Sequence, residues 1–285
     1  MHLSRDARAL GSALAICAVL GGVEHVAGQE PPSYRWYVSA AGGTNSGPVM
    51  KQAGHNRDTI CYPTFLCPAA PAGYRWSYDL APESGTALEV AVGRNLGWLR
   101  LDVSVAQRSN GIKEAFTGLT FLDRTPVLPN AESRYTSSNT TSVDALTLRT
   151  LSLNAYRDFH LGESRFVPYL GAGLGLSSTE LSGLYFSSEY SCINEPCGGR
   201  PKAEYNSRQD VDLSDHGLAA LLFAGAEYRV ADRLLVGLKA AYGWIQDLEA
   251  TSRYDLHPLP GTNTNEISGI RLWSAILALK YLLGA

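Results

Sequence analysis

Leu99-Arg100-Leu101-Asp102-Val103-Ser104-Val105-Ala106 alternates an apolar side chain with a charged or small one at nearly every step. A period of two places the leucines and valines on one face of a strand and Arg100, Asp102 and Ser104 on the other. The same pattern stands upstream, where Leu88, Val90 and Val92 alternate with Glu89, Ala91 and Gly93. It stands again near the C-terminus, where Ala275, Leu277, Leu279, Tyr281 and Leu283 alternate with Ile276, Ala278 and Lys280. Read along the whole chain, this periodicity predicts eight strands, near 34–43, 86–94, 98–107, 145–157, 166–177, 216–229, 234–244 and 269–283. The connections alternate too. Those near 95–97, 158–165 and 230–233 are short, whereas 44–85, 108–144, 178–215 and 245–268 are long and polar. Long structureless loops are uncommon in compact soluble domains. Short turns at one end and long loops at the other are what an up-and-down membrane barrel produces. The expected fold is all-β: an eight-stranded antiparallel up-and-down transmembrane β-barrel with four long extracellular loops.

Alternation alone does not say which face meets lipid. In a soluble barrel the leucines would fill the core; in a membrane barrel they face outward and the charges pack inside. Three features favour the membrane assignment. The charged phase is also rich in glycine, with Gly171, Gly173 and Gly175 opposite Leu170, Ala172, Leu174 and Leu176, as a crowded interior needs. Aromatic residues on the apolar phase gather at strand ends: Trp36, Tyr228 and Tyr281 at one, Tyr242 and Trp273 at the other. The third is an export signal. Arg5 and Arg8 precede an uncharged apolar run over 9–23 and the small residues Val26-Ala27-Gly28. This is the layout of a signal peptide over 1–28, leaving 29–285 as an outer-membrane barrel domain. Two positions disturb the pattern. Trp98 falls on the inward phase, and the fourth strand changes phase between Leu148 and Leu151, which predicts a bulge there.

On this assignment Glu89, Arg100, Asp102, Glu227, Arg229, Lys239 and Lys280 form a paired network inside the barrel. Arg149 and Arg271 open the fourth and eighth strands on the outward phase, near the extracellular interface. With Trp273 as an interfacial anchor, they are candidates for the phosphate-bearing head groups of lipopolysaccharide. Four cysteines follow the leader in two close pairs, Cys61 with Cys67 and Cys192 with Cys197. A metal site with His55 or His216 competes, but neither pair has the C-x-x-C spacing of a zinc site, and an exported chain meets an oxidising compartment. Two local disulfides are expected.

The 285 residues carry 24 Lys+Arg against 27 Asp+Glu, a net charge of −3, which lacks the basic excess of a nucleic-acid binder. Only 18% are charged, and mean hydropathy is −0.09, which excludes a polytopic helical membrane protein. Gly171-x-Gly173-x-Gly175 sits inside an alternating strand with no helix after it, so no dinucleotide site is expected. His55, His160, His216 and His257 lie in loops or at strand edges. His257 with Asp255, and His216 with Asp215 and Ser214, are the rim-side combinations a lipid-modifying enzyme could use, but spacing supports no triad. The chain is expected to be no enzyme and to hold no cofactor or metal.

LSLNAYRDF (151–159), a short turn and RFVPYLGAGLGLS (165–177) resemble the centre of the small eight-stranded outer-membrane barrels, the OmpA-like and opacity-type surface antigens. AGAEYRV (224–230), LLVGLKAAYGW (234–244) and SAILALKYLL (274–283) resemble that family's last three strands. The resemblance is strong from 145 onward and general before it. It implies an integral outer-membrane protein, inserted by the outer-membrane assembly machinery, with a structural or adhesive role. Its motifs are structural and carry no catalytic residue. Members usually end in an aromatic residue, whereas this chain ends Tyr281-Leu282-Leu283-Gly284-Ala285. The partners expected are therefore outer-membrane lipids and lipopolysaccharide, with a host or environmental ligand at the loops. A narrow porin-like channel is the alternative.

Overall fold

The computed structural model describes residues 36–67, 69–160, 164–193, 197 and 202–284; the leader expected at 1–28 lies outside them. Fifteen strands follow in chain order: β1 (Trp36–Ser46), β2 (Met50–His55), β3 (Phe65–Leu66), β4 (Tyr74–Pro82), β5 (Gly85–Asn95), β6 (Arg100–Phe121), β7 (Leu128–Pro129), β8 (Tyr135–Ser142), β9 (Ala145–Asp158), β10 (Phe166–Cys192), β11 (Ser207–Ala231), β12 (Leu234–Ile245), β13 (Leu248–Arg253), β14 (Thr262–Ser268) and β15 (Arg271–Leu283). Among the described residues the one helical segment is a 3-10 turn, Lys202–Tyr205.

Eight of these strands close on themselves. β1 pairs with β5, β5 with β6, β6 with β9, β9 with β10, β10 with β11, β11 with β12, β12 with β15, and β15 returns to β1, every pairing antiparallel. Ala40 sits on the closing seam, opposite Leu279 on one side and Val90 on the other. Closure leaves no unpaired edge in the spanning part, which lipid requires. The ends meet at Trp36 and Leu283, on the same side as the short turns. In the β5–β6 turn Gly97 takes φ +92°, where an L side chain would be strained, and its N–H is held by Asn95 Oδ1 at 2.9 Å. Trp98 belongs to this turn and is exposed. Strand phase does not apply to it, and it does not point into the lumen.

Along the spanning segments the outward positions are apolar: Leu88, Val90 and Val92 on β5, Val103 and Val105 on β6, Leu151 and Leu153 on β9, Leu174 and Leu176 on β10, Leu277 and Leu279 on β15, all exposed. The alternate positions are buried and polar, including Glu89, Asp102, Ser104, Ser152, Asn154, Lys239 and Lys280. A belt of exposed leucines around a buried charged lumen is stable only with hydrocarbon outside, so this barrel spans a membrane. The glycines serve the interior. A Cβ on Gly93, Gly171 or Gly225 would lie 2.2, 2.4 and 2.5 Å from atoms of Tyr37, Tyr156 and Tyr169, whose rings fill that space.

The four long excursions are largely stranded, not structureless. β6, β10 and β11 run on beyond the membrane belt and carry a second storey. In it β4 pairs with the upper half of β6, β2 with β4, β14 with β2 and β13 with β14. On the opposite side β8 pairs with the end of β10, and a bridge between Arg208 and Leu256 ties β11 to the segment after β13. The strands keep their alternation into this storey while its meaning reverses. Met50, Leu80, Ile112, Leu146, Leu148, Leu181, Leu213, Leu248, Ile267 and Ile270 point inward and form one buried apolar cluster. This explains β9. Its register against β6 and β10 runs unbroken, so the bulge expected between Leu148 and Leu151 is absent. Leu146 and Leu148 face the apolar interior of the storey, and Leu151 and Leu153 face lipid. The strand keeps its phase; the surroundings exchange polarity.

Candidate functional site

From the periplasmic end upward, the interior is built in layers. At the bottom Arg100 Nη1 lies 3.2 Å from Glu227 and 3.3 Å from Asp158, and Lys280 Nζ is paired with the same Glu227. The Arg100 guanidinium lies 4.7 Å from the ring centre of Tyr156 and 4.8 Å from that of Tyr169. Above it Lys239 Nζ donates to Glu89 Oε1 at 2.5 Å and lies 4.3 Å from the Phe223 ring. Asp102 accepts from Tyr37 Oη (2.8 Å) and Asn154 Nδ2 (2.7 Å). Burial of charge is tolerable only with such partners. Six of the seven charges expected inside are buried; the exception is Arg229. It stands exposed at the periplasmic mouth, past Glu227, whose carboxylate Arg100 and Lys280 already occupy. A register shift between Arg229 and Ala231 ends β11 there. The sequence reading missed two charges, Asp158 and Arg108. Asp158 sits at a strand end, and Arg108 is buried with its Nε donating to Ser274 Oγ at 3.0 Å. Both lay at or past the limits assigned to their strands.

Next come small polar residues, with Ser104 and Ser152 hydroxyls 2.9 Å apart, and then the apolar cluster of the storey. A second polar layer lies above that, where Asn263 Nδ2 donates to Gln209 Oε1 (2.5 Å) and Asn265 Nδ2 to Ser252 Oγ (3.0 Å). The top is aromatic. Tyr62, Tyr74, Tyr190 and Tyr205 form a buried cluster, with Tyr62 and Tyr190 stacked at 5.6 Å. Against it Tyr62 Oη donates to Asp58 at 2.7 Å and lies 3.1 Å from His257 Nε2, itself 3.4 Å from Asp58. His257 stacks on Tyr254 at 4.4 Å. Burial works against the Asp58 carboxylate, but bonds from His257, Tyr62 and the Ile60 N–H outweigh it and hold the carboxyl below its usual range. Burial pushes the Tyr254 hydroxyl up to about 12.

The cysteine pairs are both disulfides, Cys61–Cys67 with Cα atoms 6.0 Å apart and Cys192–Cys197 at 6.1 Å, each in the extracellular storey. His257 is joined to Asp58, from an excursion far away in sequence, and not to Asp255, whose carboxylate accepts the Asp210 N–H. His216 and Ser214 face outward from β11 while Asp215 is on the opposite phase, so these three do not converge. Arg149 and Arg271 are exposed and outward, as is Trp273. Arg149 Nη1 lies 3.3 Å from Glu180, and Tyr242 packs edge-on to Trp244 at 4.5 Å beside Trp273. Among the described residues, no group of three or more His, Cys, Asp or Glu side chains is placed to hold a metal.

Closure, the apolar outward belt and the charged lumen together define the class: an eight-stranded antiparallel up-and-down β-barrel of the bacterial outer membrane. No family model and no curated protein matches the chain. Among solved structures it is similar to the outer membrane protein OprG from Pseudomonas aeruginosa, with 12% identity over 90% of this chain and 98% of that one and a TM-score of 0.45. It is also similar to Neisserial surface protein A, NspA, with 13% identity over 87% and 97% and a TM-score of 0.42. A third is Ail, the attachment invasion locus protein of Yersinia pestis, in complex with sucrose octasulfate: 11% identity, 86% and 99%, TM-score 0.31.

Proposed function

We propose that this outer-membrane barrel is a non-catalytic surface protein with a structural and adhesin-type role, of the small OmpA-like or opacity-type kind, acting through its extracellular storey. The observation that carries the reading is the layered interior. Ion pairs, small polar residues, an apolar cluster, an amide layer and a tyrosine cap follow one another along the axis. An eight-stranded barrel has room for little more than its own side chains, which argues against a channel. The chain's elaboration lies outside the membrane, in a storey built from all four excursions and pinned by two disulfides. At its far end the two-stranded ribbon of β3 and β7 sets Leu66 opposite Leu128, both exposed to water and away from lipid. Exposed apolar side chains in such a place suit a protein partner. The Asp58–Tyr62–His257 group is buried and its members are engaged with one another, which suits bracing of the storey better than catalysis.

The test is expression on a non-adherent Gram-negative host, with attachment to epithelial layers counted against a Leu66→Ser, Leu128→Ser variant. Attachment should fall with the variant while heat-modifiability of the barrel is unchanged. Absence of attachment together with steady single-channel conductance in planar bilayers would replace this reading with the channel.

A further inference from the structure

Register aligns three outward side chains near the extracellular edge of the belt: Arg149 of β9 stands opposite Ser178 of β10, and Ser178 opposite His216 of β11. Two strand spacings separate the basic pair, about 10 Å. The next outward row toward the periplasm is Leu151, Leu176 and Leu218, in the same three strands and all exposed. Between and beside these rows lies an open groove of about 560 Å³, which both rows line together with Val105 and Gln246. Gly217 contributes no side chain, and Gln246 lies over it. Gln246 Oε1 is occupied by the Leu218 N–H at 3.0 Å, so what its amide offers a ligand is donors. The groove is therefore apolar on its membrane side and rich in donors, two of them basic, on its extracellular side. Neighbouring arcs differ. Continued the other way round the barrel, the row of Arg149 runs through Gln107 of β6, Leu88 of β5 and Gly42 of β1, none charged.

We propose that this groove seats one outer-leaflet molecule of lipid A, a phosphorylated and multiply acylated glycolipid. Its phosphate lies between Arg149 and His216, and an acyl chain lies along Leu151, Leu176 and Leu218. A guanidinium matches a phosphate with paired N–H bonds, and the partly apolar surroundings strengthen them. Glu180 opposes this arrangement. It contacts Arg149 through one nitrogen at 3.3 Å, and both side chains are substantially exposed, so the pair holds Arg149 weakly and leaves the rest of its fork for a phosphate. Arg271 and Trp273, on β15, are not part of the groove. The inference concerns depth and lipid environment and does not depend on the adhesive role of the storey.

The experiment is titration of bisphosphoryl lipid A into the refolded barrel in micelles, read by native mass spectrometry and thermal unfolding. The Arg149→Gln, His216→Gln double variant should bind about tenfold more weakly or worse. Both residues are exposed and outward, and the gel shift on heating verifies that the variant is folded. Glu180→Gln should bind about threefold more tightly, because it removes the competing carboxylate. Dephosphorylated lipid A should bind wild type as weakly as the intact lipid binds the double variant. Equal affinity of wild type and double variant overturns the proposal. So does a Glu180→Gln variant that binds no better, displacement of lipid A by an equal amount of phosphatidylglycerol, or equal stabilisation by inorganic phosphate alone.

Discussion

Leu153→Arg tests the assignment of the two barrel faces most directly. Leu153 is outward on β9, 61% exposed, and lies between Val103 of β6 and Leu174 of β10. It is four residues from Arg149 and four from Arg157, which bracket the outward belt on this strand. At 3.3 Å per residue each arginine is about 13 Å away along the strand, or about 10 Å in depth at a tilt near 40°. Leu153 is thus at the bilayer midplane, where an outward arginine costs about 2–4 kcal/mol. That lowers the folding equilibrium constant by about 30-fold to several hundred-fold. Thr147→Arg, two residues above Arg149 on the same face, should change stability by no more than about 0.5 kcal/mol. Urea unfolding in phosphatidylcholine vesicles, followed by tryptophan fluorescence and gel mobility, measures both. Leu279→Arg on β15 should behave as Leu153→Arg does. Equal stability of Leu153→Arg and wild type in vesicles, or an equal loss with Thr147→Arg, would refute the lipid-facing assignment.

Lys239→Met strips Glu89 of its buried partner and should cost about 3–5 kcal/mol in the same unfolding assay, with most of it regained in Lys239→Met, Glu89→Gln. Gly171→Ala brings a methyl within 2.4 Å of the Tyr156 ring and 2.8 Å of a backbone oxygen, so it should lose about 1–3 kcal/mol and refold in lower yield. Each disulfide closes a loop of about six residues, so Cys61→Ser, Cys67→Ser should loosen the storey by about 2 kcal/mol locally. Proteolysis of that segment should quicken while vesicle unfolding of the barrel stays unchanged; mass mapping that links Cys61 to Cys192 would overturn the pairing. Asp58 has its carboxyl held below 3.8 in the folded storey, so its contribution is present above about pH 4 and lost as pH falls through the lowered value. Protease sensitivity of the storey should rise on acidification below pH 4 in wild type, and Asp58→Asn should already be sensitive at neutral pH.

Much of the spanning barrel was legible because its rule is local. Leu99 to Ala106 needs only alternation to define a strand, and each short turn marks one end of a pair. The strand at 234–244 and the observed β12, Leu234–Ile245, differ by one residue. Strands that leave the membrane were read short. The strand at 98–107 ends where the outward residues become polar, but β6 continues to Phe121 because β4 supplies hydrogen bonds there and the inward Ile112 joins an apolar core. The interior charges were legible as a phase and not as pairs. Arg229 shares the phase of Glu227, yet it lies beyond the last closed ring of the lumen.

The storey was the harder part, and β9 shows why. A leucine says that a position avoids water; it does not say whether lipid or protein replaces the water. Leu148 and Leu151 are three residues apart, so a reader who assumes one environment must invoke a bulge to put both on one face. Two environments need none. Counting inward from Ala145, polar and apolar residues exchange faces between Leu148 and Leu151, and the exchange marks where the outer leaflet begins on this strand. The same mark appears on β10, where Leu181 is fully buried and Leu176 is exposed, and on β11, where Leu213 is buried and Leu218 exposed. These three switches fall beside the arginine, serine and histidine of the proposed lipid groove. The Asp58–His257 contact had no local signal of this kind. Its partners come from two excursions separated by most of the chain, and each is an ordinary polar loop residue until the sheet β14–β2–β4 brings the excursions together.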